Sequence, residues 1–154
     1  LGDVYKRQVH KWFTHECYWF YNPYVNKEGD HPDDYQFQHV FLLPDRGVVT
    51  DCMFALQPFF DRIPASEWIR VKANLRPKCH EMRVGGFHID YEDCITSIFY
   101  FNDNDGQTTF ESGGYVKSVA NRLITFPSNL RHSGSTCTDA KARFVLNLNY
   151  MPPT

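Results

Sequence analysis

The chain has 154 residues, a formal net charge of −2, a hydrophobic fraction of 42% and an aromatic fraction of 16%. A chain of this length can bury roughly two thirds of its unfolded surface, so we expect one globular domain with a substantial core. The charge, spread without a basic block, gives no electrostatic case for a nucleic-acid partner. No apolar run approaches the length of a membrane span, so we expect no membrane partner either.

The cysteines and the start of the chain indicate a reducing compartment. There are five cysteines, no two of them show CxxC spacing, and residues 1–8 contain neither an apolar signal core nor a cleavage pattern. We therefore expect reduced thiols and a cytoplasmic protein. Residues 1–9 lack an initiator Met and join poorly to the aromatic run after them. We therefore expect residues 1–9 to be a non-native or poorly ordered leader. Residues 10–154 are then expected to form a single domain that is truncated on its N-terminal side.

The first half of the chain is expected to support a sheet. Residues 10–25 are dense in aromatics and predict a strand or loop over a core edge, with a substrate-facing aromatic wall as the alternative. Residues 26–35 are polar and predict an exposed loop. Alternation predicts a strand over Gln36–Leu43. A helix is then expected over 50–60, capped by its first residues and ended or bent by Pro58.

The second half of the chain predicts about seven short strands, with turn signals every eight to twelve residues. Only one clear helix precedes them. This spacing favours an all-β sandwich or jelly-roll barrel with helical support over a βαβ fold. The predicted strands are Trp68–Arg76, Ile95–Asn102, Thr108–Glu111, Tyr115–Val119, Leu123–Phe126 and Ala142–Tyr150, with a further extended piece beginning at His132.

One stretch, Gly85–Asp90, predicts a metal site. His88 and Asp90 are two residues apart in what reads as extended chain, so their side chains would project from one face. They make two thirds of a 2-His-1-carboxylate triad, which leaves open positions on iron. His132 is the candidate third ligand, because strands distant in sequence can lie side by side in a jelly roll. Each residue alone is more often structural or exposed, but their order and context favour a site.

Arg143 opens the last strand, whose opposite face is entirely apolar. Arginine suits bidentate carboxylate recognition, so a buried arginine facing a metal site calls for an anion such as a dicarboxylate. Tyr100 lies on the strand face opposite Phe99 and Phe101, and its hydroxyl could donate to the same carboxylate. Alone, Arg143 would usually be a surface salt-bridge partner and Tyr100 a core residue.

Other polar residues of the predicted strands leave alternatives open. Lys72, Asn74 and Arg76 share one strand face, which lines either the mouth of a site or a solvated surface. His39 alternates with aromatic residues and predicts a core or interface histidine rather than a ligand. His80 lies in a polar turn and is expected to be solvated.

In these residues and their order, the chain resembles the 2-oxoglutarate- and Fe(II)-dependent oxygenases. The resemblance is to the prolyl-hydroxylase-like branch common in phage and marine microbial sequences, which implies a microbial or viral origin. It covers Trp68–Tyr150 well and Tyr18–Leu43 more loosely. The matching segments are His88-Ile89-Asp90, Ile98-Phe99-Tyr100-Phe101-Asn102, Asn121-Arg122-Leu123-Ile124-Thr125-Phe126-Pro127-Ser128, His132 and Arg143-Phe144-Val145-Leu146-Asn147.

The resemblance implies a mainly β fold, the double-stranded β-helix or distorted jelly roll, with one or two supporting helices. It also implies an Fe(II) enzyme that hydroxylates a C–H bond and converts 2-oxoglutarate to succinate and CO2, with ascorbate as a supplement in vitro. A prolyl or other peptidyl residue is the first expected substrate, and a small molecule or nucleobase is the alternative. The iron ligands would be His88, Asp90 and His132.

For 2-oxoglutarate, the resemblance places Arg143 at the far carboxylate and Tyr100 beside it. Asn147 and Asn74 would face the same pocket. The chain departs from the family at Arg76, where an aromatic residue is common. A second cation there could alter the anchor or bind an acidic substrate.

Two other functional classes compete with the enzyme. A binding module that kept the jelly roll but lost catalysis would have a broken triad or lack Arg143, and this chain has both features. A cupin-type metalloprotein with another chemistry would favour clustered histidines with a glutamate, which this chain lacks. Metal analysis together with succinate production separates the three.

Overall fold

The protein, described here by a computed structural model over residues 1–26 and 31–154, folds into two antiparallel sheets with short helices beside them. The α-helices are α1 (Asp3–Lys11) and α2 (Gln57–Phe60). A π-helical turn (Trp12–Glu16) follows α1 and a 3-10 turn (Met53–Leu56) precedes α2. The strands are β1 (Phe20–Asn22), β2 (Gln36–Leu43), β3 (Gly47–Val48), β4 (Glu67–Pro77), β5 (Ile95–Tyr100), β6 (Gln107–Phe110), β7 (Tyr115–Lys117), β8 (Leu123–Pro127), β9 (His132–Gly134) and β10 (Ala142–Met151).

The larger sheet has seven strands in the order β1-β2-β4-β10-β5-β8, with β3 paired to β2. The smaller sheet has the order β7-β6-β9. The last strand, β10, therefore lies at the centre of the larger sheet, antiparallel to both β4 and β5. The fold is the predicted double-stranded β-helix, a jelly roll with supporting helices, and the strands predicted from Gln36 onward occur within a few residues of their expected bounds.

The main core lies between the larger sheet and the helices. Because side chains alternate along a strand, β10 turns Leu146 and Leu148 to this core and its polar residues to the other side. Phe13 of the π-helical turn is fully buried and stacks on Phe101, with ring centroids 4.2 Å apart. The helices thus cover one face of the larger sheet, and the opposite face is left for the smaller sheet and the cavity between them.

The N-terminal segment differs from its prediction as a poorly ordered leader over residues 1–9. Asp3–Lys11 is helix α1, and Val9 is buried in the main core. Asp3 lies in the first turn and His10 and Lys11 in the last, which complements the helix dipole. The non-native origin of the segment and the domain bounds 10–154 stay predictions.

Two further segments refine the sequence predictions. The helix expected over 50–60 is a 3-10 turn followed by a single α-turn, with Cys52 at the N-cap position rather than either predicted cap, Thr50 or Asp51. Pro58 lies in the first turn of α2, where its missing N–H breaks no helical hydrogen bond. Of the loop predicted over 26–35, residues 27–30 lie outside the described residues.

The helices and cysteines of the described chain bear on the membrane and thiol predictions. None of its helices combines the length and the apolar character needed to cross a membrane. All five cysteines are free thiols. The cytoplasmic location and the origin stay predictions.

Candidate metal centre

His88 and His132 are joined by an isolated antiparallel β-bridge. The N–H group of each donates to the carbonyl of the other at 3.0 Å. Asp90 extends the contact, since its N–H donates to the Ser128 carbonyl at 3.0 Å. The regular strand expected around His88 and Asp90 is therefore a single bridge, because its partner β9 is only three residues long. The bridge nevertheless sets the predicted ligands side by side.

The three predicted ligand side chains converge on one point. Their ligand atoms lie within 4.8 Å of one another. Nε2 of His88 is 3.8 Å from Oδ1 of Asp90, and Nε2 of His132 is 3.9 Å from Oδ2. Metal–ligand bonds of about 2.0–2.2 Å place two donors at most about 4.4 Å apart, so the three side chains are close enough to bind one ion after a small inward shift.

The backbone fixes which ring nitrogen of each histidine faces the site. Nδ1 of His88 is 3.3 Å from the Gly86 carbonyl, and Nδ1 of His132 is 2.9 Å from the Leu130 carbonyl. A carbonyl only accepts, so both Nδ1 atoms carry the proton and donate it. Nε2 is then the nitrogen of each ring that faces Asp90 and is available to a metal.

The Asp90 carboxylate is held by three side chains that sequence reasoning did not assign to the site. Arg70 donates to Oδ1 at 2.8 Å. Asn149 and Thr96 donate to Oδ2 at 3.0 and 2.9 Å. Arg70 lies on the polar face of β4 and Asn149 on the polar face of β10, so strand alternation was the signal that could have found them. Their supporting bonds fix the orientation of the carboxylate.

Both electrostatically perturbed ligands are in their metal-binding protonation states at neutral pH. Burial raises the pKa of Asp90, but the charge of Arg70 and the hydrogen bonds it receives outweigh burial and hold the pKa at about 2. Burial, followed by the charge of His132, lowers the pKa of His88 below its ordinary value. Asp90 is thus a carboxylate and His88 a neutral imidazole at pH 7.

A cavity of about 150 Å³ opens between the two sheets beside the three ligands. Its lining is rich in cationic and amide side chains, most of them from β4 and β10. They are Arg70, Lys72, Asn74, Arg76, Arg143 and Asn147. The side chains of Lys72, Asn74 and Arg76 therefore line the cavity. The alternative, that they form a solvated surface, does not apply.

Arg143 is a buried cation in this cavity, 4% exposed. Its Nε donates to Ser118 Oγ at 2.8 Å and its Nη2 to Thr108 Oγ1 at 3.3 Å, and within the described residues it has no carboxylate partner. Burial lowers its pKa to about 10, so it stays charged at neutral pH. A methyl group at Gly134 would lie only 3.2 Å from Nη1, so this glycine keeps space beside the guanidinium. The site fits a carboxylate ligand.

Tyr100 lies next to Arg143 but behind the cavity wall. It is fully buried, and the Arg143 guanidinium carbon is 5.5 Å from its ring centroid. Its hydroxyl is hydrogen-bonded to Thr108 Oγ1 at 2.6 Å, and Thr108 itself lines the cavity. Thr108 therefore lines the cavity beside Arg143, and the Tyr100 hydroxyl lies behind it. The direct contact of Tyr100 with a co-substrate stays a prediction.

The two predicted asparagines, Asn74 and Asn147, both line the cavity. The Oδ1 atom of Asn74 is buried and has no hydrogen-bond partner among the described residues. An orphaned buried acceptor is costly, and a ligand would satisfy it.

Arg76, the departure from the family pattern, is paired rather than free. It is 4% exposed, and its Nη2 lies 3.3 Å from the buried Asp34 carboxylate, which also receives Arg83 at 3.1 Å. Its backbone position on β4 is directly opposite Arg143 on β10.

His39 is buried, in agreement with its prediction as a core histidine. Its ring nitrogens lie 2.9 Å from the Tyr18 carbonyl and from Thr50 Oγ1. His80 is exposed.

Comparison with known proteins identifies the fold. No protein-family model matches the chain, and no curated protein matches it significantly. Among solved structures, a Trichoplax adhaerens prolyl hydroxylase in complex with a peptide fragment of the hypoxia inducible factor oxygen degradation domain is 14% identical, with a TM-score of 0.61 over 98% of this chain and 80% of that one.

Two further structures are similar. A Pseudomonas putida prolyl-4-hydroxylase is 13% identical, with a TM-score of 0.58 over 99% of this chain and 88% of that one. A DMSP lyase structure is 12% identical, with a TM-score of 0.52 over 86% of this chain and 55% of that one. At such identities the likeness concerns the fold, and the chain has the cupin-type jelly roll of the prolyl hydroxylases.

Proposed function

We propose that this protein is an Fe(II)- and 2-oxoglutarate-dependent dioxygenase that hydroxylates a substrate C–H bond. The observation that carries the proposal is one cavity holding both a His-Asp-His cluster and a buried arginine that has no carboxylate partner among the described residues. The cluster suits a divalent metal, and the arginine suits a carboxylate. Their coincidence matches what this chemistry requires of a protein.

The residues present fit the metal. His88, Asp90 and His132 would hold Fe(II), because their tautomers and charges already suit coordination. Two nitrogens and one carboxylate are the donor set of non-haem iron oxygenases. When bound, iron and 2-oxoglutarate supply the oxidation of the C–H bond by O2, with release of succinate and CO2.

The chain's own residues would bind and orient. Arg143, fixed by Ser118 and Thr108, would grip the far carboxylate of 2-oxoglutarate. The amides of Asn74 and Asn147 line the cavity along its length and would donate to or accept from bound groups. No side chain is needed as a general acid or base.

For the substrate, a prolyl or other peptidyl residue is the first proposal, and a small molecule is the alternative. The two prolyl hydroxylases of similar fold support the first. Neither a nucleic-acid nor a membrane partner is proposed, and ascorbate would serve as a supplement in vitro.

A competing function is a catalytically inactive or differently acting cupin-like metal-binding jelly roll. The DMSP lyase structure of related fold belongs to another enzyme class. The complete triad and the Arg143 site favour the dioxygenase.

The test combines metal content with co-substrate turnover. The protein is loaded anaerobically with Fe(II), and succinate formed from 2-oxoglutarate on exposure to air is measured by mass spectrometry. We expect one iron per chain in wild type, and loss of both iron and succinate in His88→Ala and Asp90→Ala. His80→Ala, at an exposed histidine, is the matched control.

Two results would contradict the proposal. Wild-type iron occupancy in both ligand variants would remove the metal assignment. Iron bound by wild type without any succinate would favour the cupin-like alternative.

A further inference from the structure

The cavity holds more positive than negative side chains. Among the described residues, four cationic side chains line it, and two of them have carboxylate partners. Arg70 is paired with Asp90 at 2.8 Å, and Arg76 with Asp34 at 3.3 Å. The four are Arg70, Lys72, Arg76 and Arg143. The other two are Arg143 and Lys72. Because Arg143 would bind the co-substrate, the ammonium group of Lys72 remains to be explained.

The Lys72 ammonium is at the metal end of the cavity. Its charge acts on Arg70, Asp90 and His88, whereas Arg143 is influenced by Tyr100 and Arg76. Lys72 and Arg76 are on the same face of β4 four residues apart, which is about 13 Å along an extended strand. Lys72 and the Arg143 site are therefore separate positions.

Lys72 has no partner in the part of the chain that the structure describes. It makes neither a hydrogen bond nor an ion pair there, although its surroundings desolvate it enough to lower its pKa to about 8. Desolvating an ammonium without a partner is unfavourable, and an apolar side chain on β4 would avoid that penalty. A ligand that pairs with Lys72 would explain its presence.

The surroundings of Lys72 indicate the charge of that ligand. Directly opposite it on β10 is Asn147, and two positions along β4 is Asn74 with its unpaired Oδ1. A divalent metal and a dianionic co-substrate together add no net charge, so the positive charge at Lys72 persists after loading. One ammonium beside two amides balances a single negative charge, which favours a carboxylate over a phosphate dianion.

We propose that Lys72 binds a carboxylate of the substrate, which favours the small-molecule alternative: the oxidised molecule is a small carboxylic acid held beside the metal. This inference rests on the proposed dioxygenase function. The cavity of about 150 Å³ limits the part of the substrate that enters to a few heavy atoms beyond the co-substrate.

The inference is tested with matched acids and amides. The protein is loaded with Mn(II) and 2-oxoglutarate without oxygen, and N-acetyl-L-proline and N-acetyl-L-prolinamide are titrated, followed by N-acetyl-L-leucine and its amide. Paramagnetic broadening of the ligand proton signals by Mn(II) reports binding next to the metal. We expect the acids to bind about 10- to 100-fold more tightly than the amides, as for a hydrogen bond to a charged group.

Variants assign that preference to Lys72. Lys72→Met should remove the discrimination between acids and amides, Lys72→Arg should restore it in part, and Lys78→Met, which removes an exposed lysine just after β4, should leave it unchanged. The affinity for 2-oxoglutarate, measured by calorimetry with Mn(II), should change less than about twofold in all three variants.

Failure of the inference and failure of the proposed function are distinguishable. If wild type binds 2-oxoglutarate but shows no preference for acids, the carboxylate inference is overturned and the dioxygenase proposal stands. If Lys72→Met unfolds in urea like wild type but loses 2-oxoglutarate affinity, Lys72 is a co-substrate ligand and the inference is overturned. If wild type binds no 2-oxoglutarate with Mn(II), the proposed function fails and the inference falls with it. The acid-amide comparison in wild type needs no variant, so a misfolded Lys72→Met protein would not remove the test.

Discussion

At the scale of single residues, Arg143 is buried, and its hydrogen-bond partners among the described residues are the hydroxyl groups of Ser118 and Thr108. Arg143→Ala should weaken 2-oxoglutarate binding by roughly 2–5 kcal/mol, because the co-substrate carboxylate would lose a desolvated charge partner. Isothermal titration calorimetry with Mn(II) measures this change. Arg131→Ala, which removes an exposed arginine paired with Glu111, is the control. An unchanged affinity in Arg143→Ala would remove this residue from the co-substrate site.

Asp90 gives the metal-free protein a defined pH dependence. Its folded-state pKa of about 2 lies below the ordinary value of 3.8, so the ionised carboxylate contributes stability above pH 3.8 that is lost as the pH falls through 2. The difference corresponds to about 2 kcal/mol. We expect the gap in unfolding free energy between wild type and Asp90→Asn to shrink by this amount between pH 5 and 2.

Urea unfolding at several pH values measures this gap. Asp33→Asn, at an exposed carboxylate, should show no comparable trend. A gap between wild type and Asp90→Asn that stays constant with pH would mean that Asp90 is not stabilised as the structure indicates.

Among single residues, those that the chemistry of a site demands were predictable, and those that support them were not. The cluster of His88, Asp90 and His132 was predictable because few residue types can bind a metal and the order of these three in the chain is constrained. Arg70 and Thr96 hold Asp90 from different strands, and which residues face each other across strands depends on register. That register is set by packing along the whole sheet, so no local pattern specifies it.

At the scale of elements, β4 and β10 carry most of the cavity on their polar faces. The alternation of apolar and polar residues in both strands predicted that one face packs in the core and the other faces something polar. For β4, the sequence did not predict that the polar face lines a cavity, because a solvated face has the same pattern. The pairing of β4 with β10 along their whole length places the polar faces of both strands on the same side of the sheet.

The N-terminal helix escaped prediction because its apolar pattern is short. Of this segment, Val9 and Phe13, four residues apart, are buried in the core, while Leu1 and Trp12 are only partly buried against it. That spacing is a helical signal, but one pair is too little to identify a helix.

The packing of this segment can be measured through Phe13, which is fully buried against Phe101. Phe13→Ala should reduce the free energy of unfolding by about 3–5 kcal/mol, because it leaves a cavity in the main core. Val4→Ala, at an exposed position of α1, should change it by less than about 0.5 kcal/mol. Urea denaturation measures both, and equal effects would show that the segment does not pack on the core.

At the scale of the whole molecule, metal binding should stabilise the fold. A metal that binds only the folded state adds about 2.7 kcal/mol when its free concentration is 100 times its Kd. For a domain of this size that corresponds to a rise in Tm of about 5–10 °C. Differential scanning fluorimetry with Mn(II) measures the rise, and His132→Ala should abolish it. An equal rise in wild type and His132→Ala would place the metal elsewhere.

The fold class was predictable from the chain as a whole, but the reaction partner was not. Seven short strands with regular turns restrict the architecture to few choices. The same architecture occurs at 12–14% identity in two prolyl hydroxylases and a lyase, so fold alone does not select the chemistry. The substrate depends on the few side chains at the cavity, of which Lys72 is the most informative.

The bridge between His88 and His132 joins two points of the chain that are 44 residues apart. A metal held by both would act as a cross-link that closes this loop in every state where it stays bound. A covalent link across a loop of this length would restrict the unfolded chain by about 4 kcal/mol on the loop-entropy model. Iron in this protein would thus resemble a reversible disulfide, in a chain whose own cysteines are all unpaired. The two backbone hydrogen bonds of the bridge would keep the two segments paired when the metal leaves.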